Sequence, residues 1–160
     1  MISTCYIDTC ALKWRYLNGC PTSAVNQLMD DPHVTVATSE LTILEWSSAL
    51  GKTYRSGEID YDSFKRNELA LMGDIAAGAL VIFPITRTIE RARYLIEYVG
   101  VHHSRHLTTG DSIQLRTALD VSASARQLTT FVTCDKKLSK TIQHIDDFKP
   151  HLESVYLSPS

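Results

Sequence analysis

The residues of this sequence best able to do chemistry are four acids. Asp8 follows the β-prone run from Thr4 to Ile7, Glu45 lies in TSELTILEWSSAL, Asp111 opens the run TTGDSIQLRTAL, and Asp135 follows TFVTC. Carboxylates a few ångströms apart repel, and they stay ionised together at neutral pH only if a cation offsets their charge. Oxygen-only ligands of this kind suit Mg2+ or Mn2+. One or two such ions activate a water and stabilise the leaving oxygen of an in-line displacement at phosphorus, so the set points to phosphodiester hydrolysis. Each aspartate also has a plain structural reading. An aspartate just after a strand caps the next helix, and an acid in a first helical turn meets the helix dipole favourably. Glu45 resists that reading, because it sits between Leu44 and Trp46 in a largely apolar run where an unpaired buried glutamate is costly.

These acids need a scaffold that brings distant segments together. The run from Thr4 to Ile7 reads as a strand, followed by the polar turn Asp8-Thr9 and the helix-compatible ALKWRYL. Asn18-Gly19 and Pro21 punctuate, and Thr22 or Ser23 caps a helix that stops before Asp31-Pro32. A strand from Val34 to Ala37 comes next. A helix then opens at Thr38-Ser39-Glu40, with Leu41, Leu44, Ser48 and Leu50 near the helical period. Asp60 or Asp62 starts another helix, carrying Phe64, Leu69, Leu71, Met72 and Ile75 as far as Gly78. Ala79 to Ile85 reads as a continuous apolar strand covered on both faces. Thr86 or Thr88 caps a helix ended by Gly100, VHHSRHLTTG reads as a loop, and a helix follows from about Asp111 to Ala125. Thr129 to Cys134 is a fourth strand, KKLSKTI a short basic helix, and Val155 to Leu157 a last edge strand. Strands alternating with helices through short connections predict an α/β fold, a parallel sheet with helices on both faces. In such sheets ligands bind outside the carboxyl ends of the strands, which is where Asp8 and Asp135 fall.

The chain has 160 residues, the length of one ordinary domain, and we read residues 1–160 as a single unit. With 44% hydrophobic and 21% charged residues it is neither disordered nor collagen-like in composition. No apolar run is long enough to cross a bilayer, and the first ten residues lack a basic segment and contain an aspartate, so a cytoplasmic location is expected. Cys5, Cys10, Cys20 and Cys134 form no C-x-x-C pair, and free thiols are expected.

The stretches YIDTCALKWRYL, TSELTILEWSSAL, TTGDSIQLRTAL and FVTCDKKLSK, in that order, resemble the PIN-domain ribonucleases, most closely the VapC-like toxins of prokaryotic toxin–antitoxin pairs. The resemblance spans nearly the whole chain. It implies a three-layer α/β/α sandwich around a mostly parallel sheet, with Mg2+ or Mn2+ held by Asp8, Glu45, Asp111 and Asp135 and RNA cut by metal-activated water. Thr133, two before the last aspartate, matches a hydroxyl position that supports the metal site or its water. A cognate antitoxin whose segment occupies the crevice, and a homodimer, are further expectations. Two positions depart from the pattern. Gln114 stands where relatives often have histidine or another polar group, and Gly110 precedes Asp111 where alanine is usual.

Net charge is −2, but setting the four acids aside leaves 14 of the 18 acidic residues against 16 basic ones, a balance that permits RNA binding. Lys13 and Arg15, Lys52 and Arg55, and Lys136, Lys137 and Lys140 recur just downstream of the acids, as phosphate grips or as ordinary solvated faces. His102, His103 and His106 lack the glutamate of a zinc H-E-x-x-H motif and suit an RNA rim or plain surface better. Trp14 and Trp46 suit packing better than base stacking. Two other functions compete. An aspartyl-nucleophile phosphatase also has an aspartate after strand one, but usually a second two residues on, where this chain has Cys10. A non-catalytic PIN-like module for RNA or protein binding would have no cation to balance the four acids.

Overall fold

The computed structural model describes residues 2–17 and 22–158. The turn signals Asn18-Gly19 and Pro21 and the thiol Cys20 lie outside the described residues. Five strands form one parallel sheet: β1 (Ser3–Ile7), β2 (Val34–Ser39), β3 (Val81–Phe83), β4 (Thr129–Thr133) and β5 (Leu152–Tyr156), in the order β3-β2-β1-β4-β5. The helices are α1 (Thr9–Leu12), α2 (Thr22–Asp30), α3 (Glu40–Arg55), α4 (Tyr61–Ala76), α5 (Thr88–His103), α6 (Thr109–Ala125) and α7 (Lys136–His144).

Strand alternation builds the three layers. On β1, Tyr6 points to one face and Cys5 and Ile7 to the other; β4 splits Phe131 from Val132 in the same way, and β2 splits Ala37 from Val36. The register pairs Tyr6 with Phe131 and Ile7 with Val132, so both cores run unbroken across the two central strands. Tyr6 and Phe131, both fully buried, stack at 5.3 Å. Their face is covered by Leu95 and Val99 of α5, Leu115 and Val121 of α6, and Leu138 and Ile142 of α7. The opposite face is covered by Leu12 of α1, Val25 of α2, Trp46 and Leu50 of α3 and Leu71 of α4. The α/β/α sandwich expected of the sequence is therefore present, and its sheet is parallel throughout.

Four local expectations are corrected. The apolar run from Ala79 to Ile85 contributes only three strand residues, and β3 is an edge strand with Val81 partly exposed. Its ends are claimed elsewhere: the Ala79 and Leu80 amides donate to the Asp74 carbonyl at the end of α4, Pro84 has no amide, and the Ile85 amide donates to Glu40 Oε2 at 3.0 Å. Gly100 does not end α5. The helix runs on to His103, so the start of the expected VHHSRHLTTG loop is helical, and the helix stops where Ser104 turns left-handed at φ 49°. In α3 the buried side chains are Thr42, Trp46 and Leu50, spaced four apart, while Leu44 and Ser48 face solvent. The last strand begins earlier than expected, at Leu152, and lies parallel to β4. No helix of the described residues is long and apolar enough to cross a membrane.

Candidate functional site

β1 and β4 are neighbours at the centre of the sheet, and the winding reverses between them, leaving a crevice at their carboxyl ends. Asp8 directly follows β1 and Asp135 stands just past β4, while Glu45 projects from the second turn of α3 and Asp111 from the first turn of α6. The side chains of all four line one cleft of about 380 Å3, with Lys13 and Lys52 among its other walls. A larger cavity of about 570 Å3 adjoins it and shares Lys13, but contains none of the four acids.

Asp8 is only 5% exposed. It caps α1 by accepting from the Ala11 amide at 3.0 Å, and it also accepts from the Thr133 hydroxyl at 2.5 Å and the Cys10 thiol at 3.0 Å. Burial pushes its pKa well above the ordinary carboxylate value, the neighbouring Cys10 adds to the rise, and the bond from Thr133 opposes it. Among the described residues Asp8 joins no ion pair. Thr133, fully buried, has a second bond: its oxygen accepts from the Asp135 amide at 2.9 Å. One hydroxyl thus ties the end of β1 to the turn after β4.

Asp135 caps α7, accepting from the amides of Lys137 at 2.7 Å and Leu138 at 2.9 Å. Asp111 completes a capping box with Thr108, whose hydroxyl accepts from the Asp111 amide at 3.1 Å. The capping reading of the three aspartates therefore holds, and so does their placement in one cleft. Glu45 is held differently. Its Oε2 accepts from the Thr9 hydroxyl and from Gln114 Nε2, the latter at 2.9 Å. Gln114, 4% exposed, accepts in turn from the Tyr6 and Ser39 hydroxyls, which anchors Glu45 to β1 and β2. At Gly110 a Cβ would lie 3.1 Å from Glu45 Oε1, so this departure from the family pattern gives the carboxylate room.

Among the described residues no three His, Cys, Asp or Glu side chains are disposed to hold a metal ion as they stand, since Asp111 and Asp135 face their caps and Glu45 faces Thr9 and Gln114. The donor set itself fits a hard cation. It offers four carboxylates and no imidazole, and the buried one has no cationic partner.

Other candidates fall outside the cleft. His102 and His103 close α5 against the Tyr98 ring at 5.1 and 5.2 Å, and His106 is exposed in the following loop. Trp46 is buried in the core against Tyr16, and Trp14 lines the adjoining cavity. Of the basic residues, Lys13 and Lys52 reach the cleft, whereas Arg15 pairs with Asp30 and Asp74. The sequence marks Thr9 only as part of a turn, Cys10 only as a free thiol in the place of a phosphatase's second aspartate, and Gln114 only as a departure. A legible signal existed for Gln114 alone, which is three residues past Asp111 and so on the same helical face.

No protein-family model matches the sequence, and no curated protein sequence matches it significantly. Solved structures do share its shape. A chain of VapBC2 from Rickettsia felis, bound to a DNA fragment from its promoter, is similar at a TM-score of 0.59 and 16% identity over 94% of this chain and 98% of that one. A chain of VapBC-5 from Mycobacterium tuberculosis, a member of the VapBC family of toxin-antitoxin systems, is similar at 0.57 and 14% identity over 97% and 99%. Over nearly its whole length, this chain has the fold of a VapC-type PIN domain.

Proposed function

We propose that the protein is a Mg2+- or Mn2+-dependent endoribonuclease and the toxin of a toxin–antitoxin pair. One observation carries the reading: acids from four distant parts of the chain, Asp8, Glu45, Asp111 and Asp135, line a single cleft at the switch point of the sheet. These four are the residues that would hold the cation, which when bound supplies Lewis acidity for in-line hydrolysis of a phosphodiester. The remaining tasks fall to the chain itself. Thr133 fixes the end of β1 relative to the Asp135 turn, Thr9 and Gln114 aim Glu45, and Lys13 and Lys52 meet the phosphates of an RNA strand at the rim. The VapBC neighbours, which are toxin–antitoxin systems, favour a cognate antitoxin as partner; its seat over this cleft and a homodimeric assembly belong to the same proposal.

The phosphatase reading loses support, because the place of its second aspartate is filled by the Cys10 thiol, which donates to Asp8. The experiment is cleavage of a total RNA pool by wild-type and Asp8→Asn proteins, with Mn2+ and with chelator, read by 5′-end sequencing. Metal-dependent cuts that vanish in the variant are expected. Cuts that persist in Asp8→Asn, or no cuts by the wild type, would reject the nuclease.

A further inference from the structure

Two thiols that the proposed hydrolysis does not use lie close together at the acid cleft, which Cys10 helps to line. Cys10 lies in the first turn of α1, two residues past Asp8, and Cys134 lies between Thr133 and Asp135. The Cys10 sulfur is 3.3 Å from Thr133 Oγ1 and accepts from the Cys134 amide nitrogen at 3.0 Å. Ordinary bond lengths then place the two Cα atoms at most about 7 Å apart, a span a disulfide closes with little backbone movement. Both side chains are partly exposed, whereas the third described thiol, Cys5, is buried in the core.

We propose that Cys10 and Cys134 are a thiol modification site: peroxide converts them to an intramolecular disulfide that weakens divalent-cation binding in the cleft. The second half of this inference rests on the metal reading above; the first half does not. One thiol gives up its proton and its thiolate attacks a peroxide oxygen; the O–O bond breaks, a sulfenic acid forms, and the departing hydroxide takes up that proton as water. The second thiol likewise gives up its proton and its thiolate attacks that sulfur; the S–S bond forms, the S–O bond breaks, and the departing hydroxide takes up the proton as a second water. Two thiols are oxidised by two electrons and one peroxide is reduced.

The consequence follows from what Cys10 now touches. Its S–H donates to Asp8, with both carboxylate oxygens within 3.2 Å, and the bridge removes that donor. It also tethers the turn carrying Asp8 to the turn carrying Asp135, restraining the adjustment by which two carboxylates would close on an ion. Losing a supporting partner of a metal ligand typically weakens metal affinity about 10- to 100-fold.

The test is brief hydrogen peroxide treatment of the reduced, full-length protein, followed by intact mass, peptide mapping and Mn2+ titration. The expected product is lighter by two hydrogen atoms, maps to a Cys10–Cys134 linkage, binds Mn2+ at least about tenfold more weakly, and recovers with dithiothreitol. Treated Cys134→Ala should form no bridge and keep its Mn2+ binding. A bridge to Cys20, sulfinic acid at Cys10 without a bridge, or a bridged protein that binds Mn2+ as tightly as the reduced one would overturn the proposal. Should the reduced protein bind no Mn2+, the metal reading fails, and the mapped linkage alone decides whether this is a modification site.

Discussion

The carboxyl ends of β1 and β4 and the outer face of the α3–α4 pair invert the usual rule of burial in opposite directions. At the strand ends polar groups are buried: Asp8, Thr38, Ser39, Thr42, Gln114 and Thr133 are each at most 5% exposed. On the helix pair apolar groups are exposed, with Leu44 at 67%, Leu69 at 68% and Met72 at 42%. The buried set is bound together by side chains far apart in sequence, such as Tyr6 to Gln114 and Thr133 to Asp8. The exposed set makes no comparable long-range bonds, and of α4 only Leu71 is fully buried, with Phe64 and Ile75 packed partly buried against the core. Scattered exposed apolar side chains are common on soluble proteins, whereas a buried polar network is costly unless each member is satisfied. The site is therefore marked by what the fold has had to accommodate there.

The comparison can be broken or sharpened by substitution, in order of falling effect. Leu71→Ala should destabilise by about 2–5 kcal/mol in urea denaturation, because it empties a core position beneath α4. Thr133→Val keeps the shape but leaves Asp8 and the Asp135 amide short of a partner, at a cost of about 1–3 kcal/mol. The same variant should also lose RNA cleavage, whereas Leu71→Ala should retain it at temperatures where it remains folded. If Thr133→Val is as stable as wild type, the two regions do not differ as described.

A third test isolates the buried charge. The folded protein holds a proton on Asp8 more tightly than the unfolded chain does, so Asp8 subtracts stability as pH rises from the ordinary carboxylate range through its raised folded value. Melting in chelator across that window should show wild type losing stability relative to Asp8→Asn as pH rises, and added Mn2+ should reverse the loss in wild type alone. Parallel pH profiles for the two proteins would contradict the assignment. The smallest effect is expected on the helix face, where Leu69→Ser should shift stability by no more than about 0.5 kcal/mol and leave cleavage unchanged.

The layered α/β build with a parallel sheet and the meeting of four acids were legible because they depend on strand–helix alternation and on acids at strand ends, both of which are patterns along the chain; the strand order was not. The length of β3 was not, because Ala79 and Leu80 give their amides to α4 and Ile85 gives its amide to Glu40, choices made by tertiary geometry. The end of α5 was misplaced for a related reason. Glycine tolerates helix interiors, and the stop came from a left-handed serine that no propensity favours. The grip of Thr9 and Gln114 on Glu45 spans 36 and 69 residues and leaves no local trace. That Asp8, Asp111 and Asp135 each cap a helix and also line one cleft was visible in the sequence only as competing readings.

The central claim is that Asp8, Glu45, Asp111 and Asp135 form one cation site, and the direct measurement is calorimetric titration of Mn2+ into wild type and into Asp8→Asn, Glu45→Gln, Asp111→Asn and Asp135→Asn. Asparagine caps helices about as well as aspartate, so the three aspartate variants should fold. The account predicts that wild type binds and that each variant binds at least about tenfold more weakly. No binding by wild type, or undiminished binding by Asp111→Asn and Asp135→Asn, would show that these acids serve the fold as helix caps and do not share an ion.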